Sequence, residues 1–303
     1  MAEKLIDKEV EIEGGYLTYR ICGNEVTALS CRVQGGRVRI PDRIEGLPVT
    51  KLDKKTFLSC KSLKEIWLPK ELKEIGDWVF AYCSNLENVW LPKQNLVLGR
   101  GIFKECDRLT CICHLDAGSK WEKQVGKLLG AVPIKLEADY LFTPGQAGEK
   151  EWLRRFDDKL EEFLKQPDEE GYTKMVYCGE EDIVANMDLY LAERRRAKSR
   201  LCFLRLINDV GIEDEFRKKL CGYLAEHTVG CVSEAAWEVV YQEHGSEQEY
   251  YVAFTDAGCL TEENYDKILS RMGENYPEMK GYIMRYKSQQ MESMDFFDFL
   301  SLD

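Results

Sequence analysis

Apolar side chains recur with a fixed period of 23 residues in the N-terminal half of the chain. Phe57, Phe80 and Phe103 are one period apart, and a cysteine and a leucine follow each of them at constant distances. An aliphatic residue precedes each phenylalanine by five positions, and another follows it by nine. A unit of this length cannot bury its own apolar face, so the period predicts a solenoid of stacked units.

Each unit contains a short strand, in which alternate side chains point to opposite faces. Leu63, Ile66 and Leu68 should face the core, and the residues between them should face outward. The equivalent outward positions form two columns, which we predict to be a partner-binding strip: Arg37, Glu65, Asn88 and Cys111, and beside them Arg39, Trp67, Trp90 and Cys113. Tryptophan is a favoured interface residue, and an arginine over it can add a cation–π contact. The alternative is that the C-terminal half of the chain docks on this strip.

Further elements are expected on both sides of the repeats. Leu17–Cys22 and Val26–Cys31 alternate apolar and polar residues around Gly23-Asn24, which predicts a β-hairpin. After the last unit, Lys120–Leu129 has helical periodicity, with Trp121, Val125, Leu128 and Leu129 on one face. This helix is predicted to cap the final repeat.

Helical periodicity dominates the C-terminal half. The predicted helices cover 149–165, 180–207, 214–226, 233–243, 247–257, 262–272 and 277–288, and the second of them is either continuous or broken near Arg194. The predicted domains are the repeat domain with its hairpin and cap at 1–135, a connector at 136–148, an acidic helical domain at 149–290 and an acidic-aromatic tail at 291–303.

The stretches Phe57–Pro69 and Phe80–Pro92 resemble the BspA-like bacterial leucine-rich repeat, and Ile40–Leu52 resembles the opening repeat of that family. The resemblance covers roughly residues 14–134. It implies an interaction scaffold without enzymatic activity, and it leaves a cell-surface adhesin as an alternative, because many members of the family are surface proteins. The predicted fold class is therefore α+β: a short leucine-rich-repeat solenoid followed by an all-α domain of helical hairpins.

The charge and hydrophobic content of the chain exclude some classes of binding partner. The chain has 303 residues, 44% of them hydrophobic and 32% charged, and a net charge of −12, which argues against nucleic acid as the main partner. The excess of acid lies entirely in residues 136–303. No apolar run is long enough to insert into a membrane, and the charged N-terminal sequence lacks the apolar segment of a secretory signal. We therefore expect a protein partner, a cytoplasmic location and reduced cysteines.

Cys111-Ile112-Cys113-His114 is the densest cluster of cysteine and histidine in the sequence. Two thiols on one strand face could attack a carbonyl, so a thiol-dependent enzyme is the alternative to the scaffold. Zinc sites need four ligands at recognisable spacings, and the sequence offers no second cluster, so neither a metal nor a cofactor is expected.

Two further segments leave alternatives open. The basic run Arg194-Arg195-Arg196, with Lys198 and Arg200, could bind phosphate or an acidic partner, but pairing with neighbouring acids on a solvated helix face is favoured. The tail 291–303 alternates acidic with aromatic residues, which is typical of a motif that docks in a partner's groove. Packing of this tail on the protein itself is slightly favoured, because exposed phenylalanines promote aggregation.

Overall fold

The structure is a computed structural model that describes residues 6–172 and 186–300, with side chains described as far as residue 289. The chain divides into two compact units. The first comprises Met1–Glu162 and Asn208–Gly211, and the second comprises Phe163–Ile207 and Ile212–Asp303.

The first unit contains two sheets built mainly from the repeats. Its strands are β1 (Lys8–Ile12), β2 (Gly15–Cys22), β3 (Glu25–Val33), β4 (Arg37–Arg39), β5 (Arg43–Ile44), β6 (Leu47–Leu52), β7 (Glu65–Trp67), β8 (Glu74–Ile75), β9 (Asn88–Leu91), β10 (Val97–Leu98) and β11 (Cys111–His114). One sheet has the order β1-β2-β3-β6-β8-β10, with β5 paired to β6, and the other has the order β11-β9-β7-β4. Strands of successive repeats are parallel and in register, as a solenoid requires.

The 23-residue period arises from columns of identical side chains. Phe57, Phe80 and Phe103 stack with centroid separations of 5.4 and 5.5 Å, and all three are buried. The Cys83 thiol donates a hydrogen bond to the Phe57 carbonyl at 3.0 Å, and the Cys106 thiol repeats this contact one turn later. The predicted solenoid is confirmed, and the periodic cysteines serve its packing.

Each complete turn contains two residues in the left-handed conformation. The first occurs at Lys55, Trp78 and Gly101, with φ of 63°, 55° and 58°. The second occurs four residues later, for example at Tyr82 with φ of 62°. These kinks fold the chain tightly between sheet strands, and only Gly101 adopts the conformation without steric cost.

The predicted hairpin is confirmed, because β2 and β3 pair antiparallel, and β1 adds a strand that the sequence did not reveal. Helix α1 (Lys120–Ala131) begins at Ser119, whose hydroxyl and the Glu122 carboxylate form a capping box. The assignment of Trp121 to its buried face is wrong. That side chain is 47% exposed and lies over the backbone of Gly148, at the edge of the unit.

The predicted connector, residues 136–148, packs within the first unit. Leu141 and Phe142 are buried, and the Phe142 ring meets Phe103 edge-on at 5.5 Å. The indole N–H of Trp152, on helix α2 (Lys150–Lys165), donates to the Leu141 carbonyl at 2.9 Å. The segment therefore covers part of the solenoid's last turn.

The second unit is helical. The helices among its described residues are α3 (Met187–Ile207), α4 (Asp214–Glu226), α5 (Ala235–Glu238), α6 (Gln248–Asp256), α7 (Glu262–Met272) and α8 (Pro277–Leu300), and a π-helical turn, Val239–Glu243, follows α5. Trp237, Tyr251 and Phe254 form its aromatic core. No described helix has both the length and the apolarity needed to cross a membrane.

The predictions for the basic run and for the tail of this half can be compared with the structure only in part. Of the two alternatives for the region near Arg194, the structure has the continuous helix, because α3 runs through it. The predicted start of that helix, at residues 180–185, lies outside the described residues. The backbone of α8 continues to Leu300, so much of the predicted tail extends this helix. The docking of the tail's side chains lies outside the described residues.

Candidate functional site

The two predicted columns lie side by side on the sheet formed by β4, β7, β9 and β11. In the first, Arg37 pairs with Glu65, Glu65 with Asn88 and Asn88 with Cys111. In the second, the register joins Arg39, Trp67, Trp90 and Cys113. Ile66 and Val89, between the columns, are buried, so the columns occupy the opposite face of the sheet.

Trp67 and Trp90 form a parallel stack. Their ring centroids are 4.2 Å apart and their planes differ by 3°, which follows from identical side chains on adjacent in-register strands. The Arg39 guanidinium lies 4.8 Å above the Trp67 ring and extends the stack by one layer. Both tryptophans are half-buried, because stacking hides their faces and leaves ring edges accessible.

Neither indole N–H of this stack donates a hydrogen bond to a described residue. Neither nitrogen is among the buried side-chain atoms that lack a hydrogen-bond partner. The Asn88 amide likewise has no hydrogen-bond partner among the described residues. Arg37 pairs with Glu65 at 3.1 Å, but the arginine side chain is 74% exposed, so solvent screens this pair. The face thus combines a rigid apolar stack with hydrogen-bonding groups that a ligand can still engage.

Burial of Cys113 argues against its place in an accessible strip, whereas Cys111 is half-buried, as Trp67 and Trp90 are. Helix α1 covers them with its glycine face: a Cβ at Gly126 would lie 2.4 Å from the Cys113 Sγ and 3.0 Å from the Cys111 Sγ. Gly130, one turn later, lies against the backbone of Cys111. Cys113 is consequently only 7% exposed. The i, i+4 glycine spacing in the α1 sequence was the signal that a strand lies against this face.

The two thiols contact each other beneath the helix. Their sulfurs are 3.0 Å apart. The shared hydrogen bond raises the pKa of Cys111 and lowers the pKa of Cys113, while burial opposes ionisation of both. Burial also lowers the pKa of His114, whose Nδ1 is buried without a hydrogen-bond partner. No hydrogen bond joins this imidazole to either thiol.

Other reactive chemistry is sparse in the part of the chain that the structure describes. No group of three or more histidine, cysteine, aspartate or glutamate residues there could hold a metal ion. All described cysteines are free thiols, and burial raises the pKa of both Cys31 and Cys106 to about 12. Such thiols are poor nucleophiles at neutral pH.

Most of the basic run on α3 is paired with acids, as the favoured interpretation predicted, but the predicted solvated face is wrong, because residues 194–200 are half-buried or buried. Arg195 and Lys198 contact the Asp168 carboxylate at 2.8 and 2.7 Å, and Lys198 is only 3% exposed. Burial raises the pKa of Asp168, but the hydrogen bonds from these two cations outweigh it and lower the pKa overall. Arg200 pairs with Glu193 and Glu243. These pairs hold the loop after α2 and the α5 region to α3.

The comparisons with known proteins concern the repeats. Residues 39–116 match the family model of the BspA type leucine-rich repeat region, in six copies. A leucine-rich repeat protein from T. pallidum is 27% identical over 35% of this chain and 49% of its own, with a TM-score of 0.31, so this chain spans about half of that protein's length. A leucine-rich repeat protein from Bacteroides capillosus is 23% identical over 38% of this chain and 91% of its own, also with a TM-score of 0.31.

No curated protein matches the chain. The repeat family suggests a role in protein interaction or adhesion, is generally non-enzymatic and is often associated with the cell surface. The family match falls on the residues that form the parallel repeats of the described fold. Residues 39–116 of this chain are a BspA-type leucine-rich repeat region, which forms a solenoid and is followed by a helical region.

Proposed function

We propose that the protein is a non-enzymatic interaction scaffold that binds a protein partner through the accessible part of the predicted strip. This surface, the binding strip, consists of Arg37, Arg39, Glu65, Trp67, Asn88 and Trp90. The observation that carries the proposal is the stack of Trp67 and Trp90, capped by Arg39, on the side of the sheet opposite the core.

The stack is suited to binding because it is already ordered. Parallel contact at 4.2 Å fixes both rings, so a partner would not have to restrict them again, and less conformational entropy would be lost on association. The free indole N–H groups and the Asn88 amide supply specific donors next to apolar ring edges. Tryptophan and arginine are the residue types that most often dominate the binding energy of protein interfaces.

The test is affinity capture from source-cell lysate with quantitative mass spectrometry, followed by affinity measurement on any partner found. Trp67→Ser/Trp90→Ser is compared with wild type and with Trp78→Ser, which removes a 42% exposed tryptophan elsewhere in the same repeats. We expect the double variant to lose about 2–4 kcal/mol of binding free energy, which is the range of hot-spot residues. The control should bind as wild type does.

Thermal unfolding of each variant separates binding from stability. If the double variant folds normally and retains the same partners with equal affinity, the proposal is wrong. If the double variant alone is strongly destabilised, the tryptophans serve internal packing, which is the docking alternative stated for the C-terminal half. The cytoplasmic location stays a prediction, and cell fractionation would distinguish it from a surface location.

A further inference from the structure

Successive turns of the solenoid are joined by a regular set of backbone hydrogen bonds. In each turn three amides, two residues apart, donate to carbonyls of the next turn. In one turn the donors are the amides of Lys55, Phe57 and Ser59. In the following turn the donors are the amides of Trp78, Phe80 and Tyr82, and the acceptors are the carbonyls of Arg100, Ile102 and Lys104. All six hydrogen bonds measure 2.7–3.0 Å. Each turn of the solenoid therefore presents a row of backbone donors to the turn that follows it.

The last turn presents the same row without acceptors. The equivalent amides belong to Gly101, Phe103 and Glu105, and none of them has a hydrogen-bond partner within the described residues. Phe103 lines the cleft beside this turn, and its N–H is a donor that a carbonyl of another chain can satisfy. Strand β10, which leads into this turn, is the terminal strand of its sheet. Unpaired edges of this kind are sites where another chain can add.

The C-terminal cap leaves this edge open. Helix α1 packs on β11, the end of the other sheet, and Phe142 of the following segment meets the ring of Phe103 edge-on. A cleft of about 540 Å³ remains beside the last turn. It is lined by residues 98–104 together with Pro133, Asp139, Tyr140 and Phe142. Pockets of this size accommodate small ligands or a short length of peptide.

The charges around the cleft favour an acidic occupant. Arg100 and Lys104 line it, both are exposed, and neither forms an ion pair within the described structure. Asp139 is the single acid among the lining residues, and Glu105, an exposed acid that follows Lys104, is not one of them. Phe142 already fills the position of the stacked phenylalanine, so an occupant needs no large apolar side chain there.

We propose that the open last turn binds an extended acidic peptide segment of a partner protein by backbone addition. Carbonyl oxygens at every second residue of the segment accept hydrogen bonds from the amides of Gly101, Phe103 and Glu105. A carboxylate of the segment pairs with Arg100 or Lys104. This site is distinct from the binding strip, and its affinity derives from main-chain hydrogen bonds, as in other cases of strand addition.

The experiment uses the full chain and pools of capped octapeptides that are randomised except for one fixed glutamate or one fixed lysine. Fluorescence anisotropy measures the binding. We expect the glutamate pools to bind more tightly, and Arg100→Glu/Lys104→Glu to weaken that binding at least about tenfold. Lys54→Glu/Lys61→Glu changes net charge equally on exposed residues of an earlier turn and should bind as wild type does.

Amide hydrogen exchange locates the contact. In the free protein the amides of Gly101, Phe103 and Glu105 should exchange at least about tenfold faster than those of Trp78, Phe80 and Tyr82, and the best peptide should protect them. The proposal is overturned if no pool binds, if a bound peptide protects other amides only, or if the three amides are already protected in the free protein. Trp67→Ser/Trp90→Ser should bind the peptide normally, so failure of the binding strip and failure of this site are distinguishable.

Discussion

Replacing Phe80 with alanine tests whether the phenylalanine column holds the solenoid together. Phe80 is the middle ring, fully buried, with one phenylalanine 5.4 Å away on one side and another 5.5 Å away on the other. Truncation of a buried phenylalanine to alanine costs about 3–5 kcal/mol. The two ring contacts add about 0.5–1.5 kcal/mol each to simple burial, which places the expected loss in the upper part of that range.

The assay is equilibrium unfolding in urea followed by tryptophan fluorescence, because Trp67 and Trp90 report on the repeats. A loss of about 4–5 kcal/mol is a large fraction of the typical stability of a domain, about 5–15 kcal/mol, so the midpoint should fall clearly. The control is Tyr82→Ala, two residues away in the same turn, where the side chain is 46% exposed. That change should cost less than about 1 kcal/mol.

The reasoning is refuted if Phe80→Ala costs no more than Tyr82→Ala. That outcome would mean that the backbone hydrogen bonds between turns, rather than the buried rings, supply the cooperativity of the solenoid. A variant that does not fold at all agrees with the prediction only if Phe80→Leu, which retains much of the buried volume, folds with an intermediate loss of stability.

Two other predictions concern helix α1. Gly126→Ala should destabilise the protein by about 1–3 kcal/mol, because the new Cβ would overlap the Cys113 sulfur. The control is Gly222→Ala on α4, where the new Cβ has no atom within 4 Å and should stabilise the protein by up to about 1 kcal/mol through helix propensity. Thermal unfolding of the two variants should show shifts of opposite sign. Hydrogen bonds from the start of α1 lower the pKa of Glu122 from 4.5 to about 2. The stability that this carboxylate contributes is therefore complete above about pH 4.5 and is lost as the pH falls toward 2. Glu122→Gln should remove that part of the acid dependence, and an unchanged pH profile of unfolding would contradict the assignment.

The strand register and the outward columns could be read from the sequence because the period repeats. Once three units place phenylalanine, cysteine and leucine at the same positions, only one stacking register buries all of them. The same register then aligns Trp67 with Trp90, whose positions relative to the buried Ile66 and Val89 follow from strand alternation. The stack of the two indoles is a direct consequence of that periodicity.

Features that depend on a contact between distant segments were missed or left open. Lys55 and Trp78 adopt the left-handed conformation although neither is glycine, because hydrogen bonds to the next turn impose it. Helix α3 continues through Arg194 because several of its arginines are paired with acids from neighbouring segments, which removes the repulsion that a run of like charge would otherwise cause.

The 23-residue repeat was enough to predict the solenoid, its period and the two columns of residues on one face of its sheet, because repetition of a unit repeats its local geometry. The burial of those columns depends on a helix that lies outside the repeats. Helix α1 approaches β11 because Gly126 and Gly130 lack side chains, and it buries Cys113 while Cys111 and the tryptophan stack stay half-buried. The same placement leaves the amides of Gly101 and Phe103 unpaired, since a helix that packs on one sheet cannot also supply hydrogen-bond acceptors to the edge of the other.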